Sequence, residues 1–530
     1  MPHIEKSFSK HSNRISLFVL AVLLSQSVSY ADERPNILFI FSDDHAVSAI
    51  SSYEGLHAKS APTPSIDRIA NEGALFQNSF CANSICGPSR ACILTGKHSH
   101  VNGFMRNSRK PFNQQQWTLP KALQKAGYQN AVVGKWHLKS KPLGFDYWEV
   151  LPGQGNYYNP VYLQMDGGKK QFSGYVTDLT TSKSIDWLKK RDQNKPFFLM
   201  CQYKAPHRTF SPATRYLGAL DDKTIEEPKS LFDDYANRSE TLKANEMEID
   251  RHMTWAYDLK VRDDELLGIE VPDFRNYGTP EYNRMDSEQK EAWNQHFGPR
   301  NREFVENYKA GKYDKRSLVQ WKFQRYVRNY LETVKAVDEN VGRLLKYLDE
   351  NNLTENTIVI YGSDQGFYLG EHGWFDKRWI FEESLKMPFV IRWPGKIKPG
   401  SRPKAMIQNI DYAPTFLEMA GLDIPEEIQG KSMMPILKDS SKKIRDSLYY
   451  AYYELGEHAV PQHFGVRTES KKLFYLPKTK EWQMFDLAKD PQEMKNVYEE
   501  PEYADVRKEL TAEYERLRKE FRAPPYDNNW

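Results

Sequence analysis

The sequence predicts an α/β protein, with a large, mainly parallel sheet sandwiched by helices and a smaller C-terminal subdomain built on an antiparallel sheet. Short apolar runs that end in polar residues alternate with helix-period segments up to about residue 445, the pattern of parallel strands joined by crossover helices. After Asp446 the spacing changes to short strands separated by turns. The chain has 530 residues, and single cores stop growing near ~250–300 residues, so a second, smaller unit is expected. The divisions read from the sequence are 1–31 for a leader, 32–445 for the large unit and 446–530 for the small one.

Pro35-Asn36-Ile37-Leu38-Phe39-Ile40-Phe41 reads as a buried parallel strand, and Ser42-Asp43-Asp44 puts two acids at its C-terminal end, the edge where open α/β sheets hold ligands. Thr63-Pro64-Ser65-Ile66-Asp67-Arg68-Ile69-Ala70 begins a helix, with Thr as cap, Pro at the first helical position and apolar residues three and four apart. Asn130-Ala131-Val132-Val133 runs into Gly134-Lys135-Trp136-His137, and Phe197-Phe198-Leu199-Met200 into Tyr203-Lys204-Ala205-Pro206-His207. Each is a strand that delivers polar groups at its end. Residues 211–315 lose this order and become charged and aromatic-bearing. They are too long for a simple connection and read as an insertion beside the active-site mouth. Helix-period apolar residues return from Gln320 to Leu348, and Thr357-Ile358-Val359-Ile360-Tyr361 then leads into Gly362-Ser363-Asp364-Gln365-Gly366. Pro388-Phe389-Val390-Ile391-Arg392 is a further strand. In the C-terminal unit, 448–453, 465–467, 472–475 and 483–486 are the short strands, closed by a helical tail from Pro501 to Phe521.

The formal net charge is +3 and no Lys/Arg block stands out, which argues against nucleic-acid binding. Aromatic residues make up 13% of the chain, enough to offer flat faces to sugars, although core packing uses most such residues. Residues 15–31 form an apolar run behind Lys6, Lys10 and Arg14, with Ser29 and Ala31 ahead of a cut near Asp32. The run turns polar at Ser25, short of the ~20 apolar residues of a membrane helix, so it reads as a secretory signal peptide. No cysteine follows the cut to carry a lipid anchor. The mature protein is therefore expected in the periplasm or outside the cell, with no membrane anchor. Four cysteines, Cys81, Cys86, Cys92 and Cys201, are too few for a disulfide framework.

Cys86-Gly87-Pro88-Ser89-Arg90, followed by Ala91-Cys92-Ile93-Leu94-Thr95-Gly96, resembles the C-x-P-S-R-x-x-x-L-T-G signature of the type I sulfatases, in the alkaline phosphatase superfamily. The resemblance covers nearly the whole mature chain, with further matches at Thr63 to Arg68, Gln429-Gly430-Lys431-Ser432, Phe485-Asp486-Leu487 and Asp490-Pro491. It implies an alkaline-phosphatase-like fold and oxidation of Cys86 to formylglycine (3-oxoalanine) by a formylglycine-generating enzyme. A serine that attacked a sulfate ester would be left as a stable sulfated serine. The hydrate of an aldehyde carries two hydroxyls, so one attacks sulfur and the other expels sulfate.

Asp43 and Asp44 at one strand end, with Asp364 and Gln365 at another, offer three carboxylates and an amide oxygen. Such hard donors suit Ca²⁺ or Mg²⁺ rather than Zn²⁺. The resemblance assigns these four, together with residue 86, to a divalent cation, Gln365 being one of the variants the family uses at its position. It further implies that Arg90 stabilises the formylglycine alkoxide and that Lys135 contacts sulfate. His137 would assist sulfate elimination as a base, and His207 and Lys377 would grip sulfate and protonate the leaving alcohol. Cations placed where negative charge grows are usually the largest catalytic term.

Gly370-Glu371-His372-Gly373 and Phe381-Glu382-Glu383-Ser384 resemble the bacterial polysaccharide sulfatases related to the heparan and glucosamine sulfatases. His372, His463 and Arg467 are the candidates for contacting a sugar hydroxyl or carboxylate. The expected activity is removal of O-sulfate from a sulfated oligosaccharide derived from a polysaccharide, such as a glycosaminoglycan. Alternatives are a phosphodiesterase or phosphonate monoester hydrolase of the same superfamily, an N-sulfoglucosamine sulfohydrolase, and an inactive carbohydrate-binding homologue with Cys86 unconverted. Every matched catalytic position is filled, which argues against the last.

Overall fold

The computed structural model describes residues 1–3, 34–107, 110–236, 238–271, 275 and 277–526. The signal peptide read from residues 1–31 lies, beyond its first three residues, outside the described ones. Nine strands form the main sheet: β1 (Asn36–Asp43), β2 (Ala74–Leu75), β3 (Gln129–Lys135), β4 (Tyr147–Leu151), β5 (Val161–Gln164), β6 (Lys169–Gln171), β7 (Phe197–Pro206), β8 (Thr357–Ser363) and β9 (Phe389–Arg392). Their order is β2-β9-β8-β1-β7-β3-β4-β5-β6. The central strands from β8 to β4 pair in parallel. The edges do not: β9 joins β8, and β5 joins β4, antiparallel.

The helices that cover the sheet include α1 (Pro64–Asn71), α2 (Cys86–Thr95), α3 (Val176–Lys190), α4 (Ser287–Lys309), α5 (Lys315–Glu350), α6 (Tyr412–Met419) and α7 (Ala504–Glu520). Alternation along β1 divides the core in two. Ile37, Phe39 and Phe41 pack with Tyr412 and Phe416 of α6, while Leu38 and Ile40 face Ile66 and Ile69 of α1, Leu188 of α3 and Val337 and Leu344 of α5. α1 starts at Pro64 as its sequence demands, but the side chain of Thr63 makes no cap bond to the helix backbone. Asp338 of α5 does that work from afar, accepting from the Ser65 and Ile66 amides at 3.0 and 2.9 Å. α5 begins five residues before Gln320, because Asp314 and Ser317 form a capping box ahead of the apolar stripe.

Register gathers the strand ends. Ser42 lies opposite Ser363, Asp43 opposite Pro206, and Gly134 opposite Gln202, so the C-terminal ends of β8, β1, β7 and β3 stand side by side. Gly134 has φ +104°, and a Cβ there would lie 1.9 Å from the Gln202 carbonyl oxygen, a clash with backbone rather than a movable side chain. Gly134→Ala is expected to destabilise the fold by more than about 3 kcal/mol, measured as the loss of denaturation midpoint in urea. A midpoint equal to wild type would contradict this account of the β3–β7 approach.

A four-stranded antiparallel meander follows: β10 (Ser447–Tyr452), β11 (His463–Thr468), β12 (Lys471–Leu476) and β13 (Glu481–Asp486). α7 covers one face, burying Leu510, Tyr514 and Leu517 against Tyr449, Val466, Leu473 and Met484. β10 ties the sheet to the large unit: the Tyr450 hydroxyl donates to the Arg378 carbonyl at 2.7 Å, and the Ala451 amide to the Ala82 carbonyl at 3.1 Å. All four cysteines are buried free thiols. Among the described residues no helix is long and apolar enough to cross a membrane.

Candidate active site

Cys86 is the first residue of α2, a helix buried along its whole length that starts beside the collected strand ends. The helix aims its amide-rich N-terminus at the same place, which suits an anionic group. Its signature residues fasten it there. The Ser89 hydroxyl donates to the Asp364 carbonyl and accepts from Asn409 at 2.8 Å. Arg90 reaches under the cluster, donating through Nε and Nη2 to Asp364 Oδ2 at 3.2 and 3.0 Å, and through Nη1 to the Lys135 carbonyl at 2.7 Å and Gln202 at 3.1 Å.

Asp43, Asp44 and Asp364 are fully buried, and each offers an oxygen within 4.8 Å of the others. Both Asp43 oxygens and Gln365 Oε1 have no hydrogen-bond partner among the described residues, with Lys135 and, at 3.8 Å, Arg90 beside Asp43 as ion-pair partners. Burial, with Asp364 adding to it, pushes the Asp44 carboxyl up to about 7 against the opposing pull of Lys377. Three crowded buried carboxylates stay ionised together only with a cation among them. The donor set, oxygen only and partly unsatisfied, fits a hard divalent ion.

Around this acid group stand the cations. Lys377 Nζ donates to Asp44 Oδ2 at 2.6 Å, and His207 Nε2 lies 3.6 Å from the same oxygen. Cys86 Sγ, an Asp43 oxygen and a His207 ring nitrogen fall within 4.8 Å of one another. Lys135 Nζ donates to Gln154 at 2.5 Å. Burial works against the charge on Lys377, but Asp44 outweighs it and holds the ammonium well above its usual range. Burial, with neighbouring cations, drives His137 and His207 well below the usual imidazole value, so both are neutral bases. Burial likewise raises the Cys86 thiol to about 12, which leaves unmodified cysteine a poor nucleophile.

This constellation can be compared with known proteins. The sulfatase family profile matches residues 35–422. The chain belongs to the sulfatase family. A second profile, the C-terminal region of N-sulphoglucosamine sulphohydrolase, matches residues 370–520 of the sulfatase. The sulfatase is 43% identical to an N-acetylglucosamine-6-O-sulfatase of Bacteroides thetaiotaomicron, over 98% of this chain and 96% of that one. It is 45% identical, with a TM-score of 0.88, to a protein solved in complex with its substrate D-glucosamine-2-N,6-O-disulfate, covering 94% of this chain and 100% of that one. A phosphonate monoester hydrolase of Agrobacterium radiobacter shares the fold at 19% identity and a TM-score of 0.64, over 92% of this chain and 96% of that one. The protein is a sulfuric ester hydrolase.

Cys86, Arg90, Lys135, His137, His207, Lys377, Asp43, Asp44, Asp364 and Gln365 thus come together in the sulfatase. His372, His463 and Arg467 do not join them. His372 is fully buried, its Nδ1 3.1 Å from Asp233 and its Nε2 3.7 Å from Glu383. Burial opposes its charge, but these acids raise it to about 9. His463 is stacked among Tyr450, Tyr452 and Trp379. Arg467 pairs with Glu382 at 3.0 Å and lies over the Phe80 ring.

A different set surrounds Lys377. Asp376 lies 3.7 Å from Arg378 Nε and 3.2 Å from His458 Nε2, and Arg378 Nη1 donates to the Tyr452 hydroxyl at 3.2 Å. Asp376, Arg378 and His458 have φ of +78°, +96° and +56°, strained values for residues with side chains, of the kind that functional sites retain. Lys204, inside a strand-end segment that the sequence pointed to, is also buried here and is lowered to about 8 chiefly by that burial. The positive φ at Asp376 and Arg378 has no signature in sequence. The flanking of Lys377 by two charged residues was the available clue.

Proposed function

We propose that the sulfatase removes the 6-O-sulfate of a glucosamine residue from a glycosaminoglycan-derived saccharide. The supporting observation is identity of more than two-fifths, along nearly the whole chain, to an enzyme named for that bond, in a protein whose strand ends carry the complete cluster. Asp43, Asp44, Asp364 and Gln365, with residue 86, would hold Ca²⁺ or Mg²⁺. Such an ion lowers the proton affinity of an oxygen it holds and neutralises charge on sulfate. Formylglycine at position 86, made by a formylglycine-generating enzyme, supplies through its hydrate an oxygen nucleophile with a second hydroxyl able to release sulfate.

The chain's own residues do the rest. Arg90 fixes Asp364 and the helix start in one register. Lys135, Lys377 and His207 cradle the sulfate oxygens, where charge grows as the ester bond breaks. Lys377, which stays protonated beside Asp44, delivers a proton to the leaving alcohol oxygen, and neutral His137 takes one from residue 86. Asp376, Arg378 and His458 form the sugar side of the site, offering both acceptors and donors to ring hydroxyls. Arg378→Ala and His458→Ala are each expected to raise KM about tenfold, the loss of a charge-assisted hydrogen bond, with a smaller change in kcat. An unchanged KM in both would remove them from the sugar side. The apolar run at 15–31 supports export to the periplasm or beyond, and the units 32–445 and 446–530 would fold around one site.

The match of residues 370–520 to an N-sulphoglucosamine sulphohydrolase region favours one second reading, cleavage of an N-sulfate. Glucosamine carrying sulfate only at O6, only at N2, or at both separates the two. The proposal expects release from the first and third and none from the second. Release from the second and none from the first would support the other reading.

A further inference from the structure

α4 and α5 turn charged faces toward one another. On α5, Arg325, Arg328, Asn329 and Glu332 recur at the spacing of one helix face, and on α4 so do His296, Arg300 and Glu303. Between them lies a cavity of about 480 Å³, open to the surface and lined also by Asp221. At ~100° per residue this face of α5 is turned about a third of a circle from Tyr326 and Tyr330, and Tyr330 donates to the Asp44 carbonyl at 2.6 Å. One helix therefore backs the catalytic strand end and lines a cavity that shares no residue with it.

The cavity is built for donors. Arg325 is 9% exposed, lies over the rings of Phe297 and Trp321, and makes one described hydrogen bond, from Nη2 to Asn301 at 2.9 Å. A guanidinium has five N–H donors, so most of its capacity is unused. Arg328 spends Nε and Nη2 on the single Lys223 carbonyl, at 3.1 and 2.7 Å. Arg300 bonds the His296 carbonyl at 2.6 Å and Asp221. Asn329, only 2% exposed, has a side-chain amide nitrogen with no partner among the described residues. Of the three acids that line the cavity, Glu303 is exposed to solvent, and the other two do not cancel the arginines. Burial raises Glu332, 1% exposed, to about 8 and so keeps it protonated at neutral pH, while Asp221 is taken by Arg300. Burial, then the like charges of Arg300 and Arg328, lowers Arg325 to about 10, a cost that a bound anion would relieve.

We propose that this cavity is a second, non-catalytic site for a sulfate group, held by Arg325, Arg328 and the Asn329 amide. Its tetrahedral oxygens come either from inorganic sulfate, which the reaction releases, or from a sulfate carried on a saccharide. A guanidinium pair suits both, because planar forks match oxyanion edges. Sited on the far face of α5, it would hold a sulfated chain to the enzyme without entering the catalytic cluster, or register accumulated product.

Calorimetric titration of the Cys86→Ala protein with sodium sulfate and, separately, with glucosamine 6-sulfate tests this. Arg325→Gln with Arg328→Gln, and separately Asn329→Leu, which keeps both cations, are placed in the same background, and catalysis is followed in the otherwise wild-type enzyme. At least one of the two ligands is expected to show a second binding event that weakens about tenfold or more in each variant, with kcat unchanged. Crystals soaked in selenate should place an anomalous peak between α4 and α5. Variant-sensitive binding of sodium sulfate marks a product site, and binding of the saccharide alone marks a glycan site. A single event that neither variant alters, or selenate bound at the catalytic cluster and absent from the cavity, overturns the proposal.

Discussion

Replacing Cys86 with alanine is expected to lower sulfate release by a factor on the order of 10⁵, the scale seen when a nucleophile is removed, while thermal stability and substrate affinity stay near wild type. The side chain is small and buried at the first position of α2, and no hydrogen bond described for the fold runs through its sulfur, so little besides the nucleophile is lost. Isothermal binding of the saccharide beside a turnover assay checks both halves. Retained turnover would show that the chemistry does not pass through residue 86. A loss of binding as large as the loss of turnover would move Cys86 into substrate recognition instead.

Asp364→Ala is expected to cost both activity and stability. Its carboxylate accepts two bonds from Arg90, at 3.2 and 3.0 Å, and one from the Asp44 amide at 3.0 Å. Removing it leaves the buried guanidinium facing Asp43 at 3.8 Å and takes one oxygen from the acid cluster. Breaking a buried pair in this way typically costs about 3–5 kcal/mol, and turnover should fall on the order of 10³-fold as the electrostatic support of the site is lost. Denaturant unfolding and equilibrium dialysis against calcium and magnesium give the two readouts. Asp364→Asn keeps the shape and should recover stability without recovering ion affinity. Full ion binding in the alanine variant would exclude Asp364 from the metal set.

The strand ends were legible because two signals coincide there: an uninterrupted apolar run, which a strand buried on both faces requires, and an abrupt polar end where the sheet edge meets solvent or ligand. That is why Asp43, Lys135, His207 and Asp364 could be placed at strand ends from sequence while their adjacency awaited the β8-β1-β7-β3 order. The antiparallel joining of β9 and β5 was not legible, since a short apolar run reads the same in either direction. Helix α1 shows a local rule replaced by a distant one, its first amides satisfied by Asp338 rather than by Thr63.

The proposed sugar side was the least legible part. His372 stands in a segment that resembles polysaccharide sulfatases, and the fold gives it and Arg467 acid partners, Asp233 and Glu382, that no local pattern announces. Asp376, Arg378 and His458 meet because a loop of the C-terminal subdomain folds back over the residues flanking Lys377. The turn that brings them there uses left-handed backbone at residues whose identity does not demand it. Tyr450, Tyr452 and His463 then support Arg378 from behind, His463 by stacking on both tyrosines.

The most direct test of the account measures sulfate release from glucosamine 6-sulfate across preparations that differ in the fraction of residue 86 converted to aldehyde, quantified by mass spectrometry of the Cys86 peptide. Turnover that rises in proportion to that fraction, with C6 as the desulfated position, is the predicted result. Turnover independent of the fraction, or an aryl phosphate hydrolysed faster than any sulfate ester by the fully converted enzyme, would contradict it.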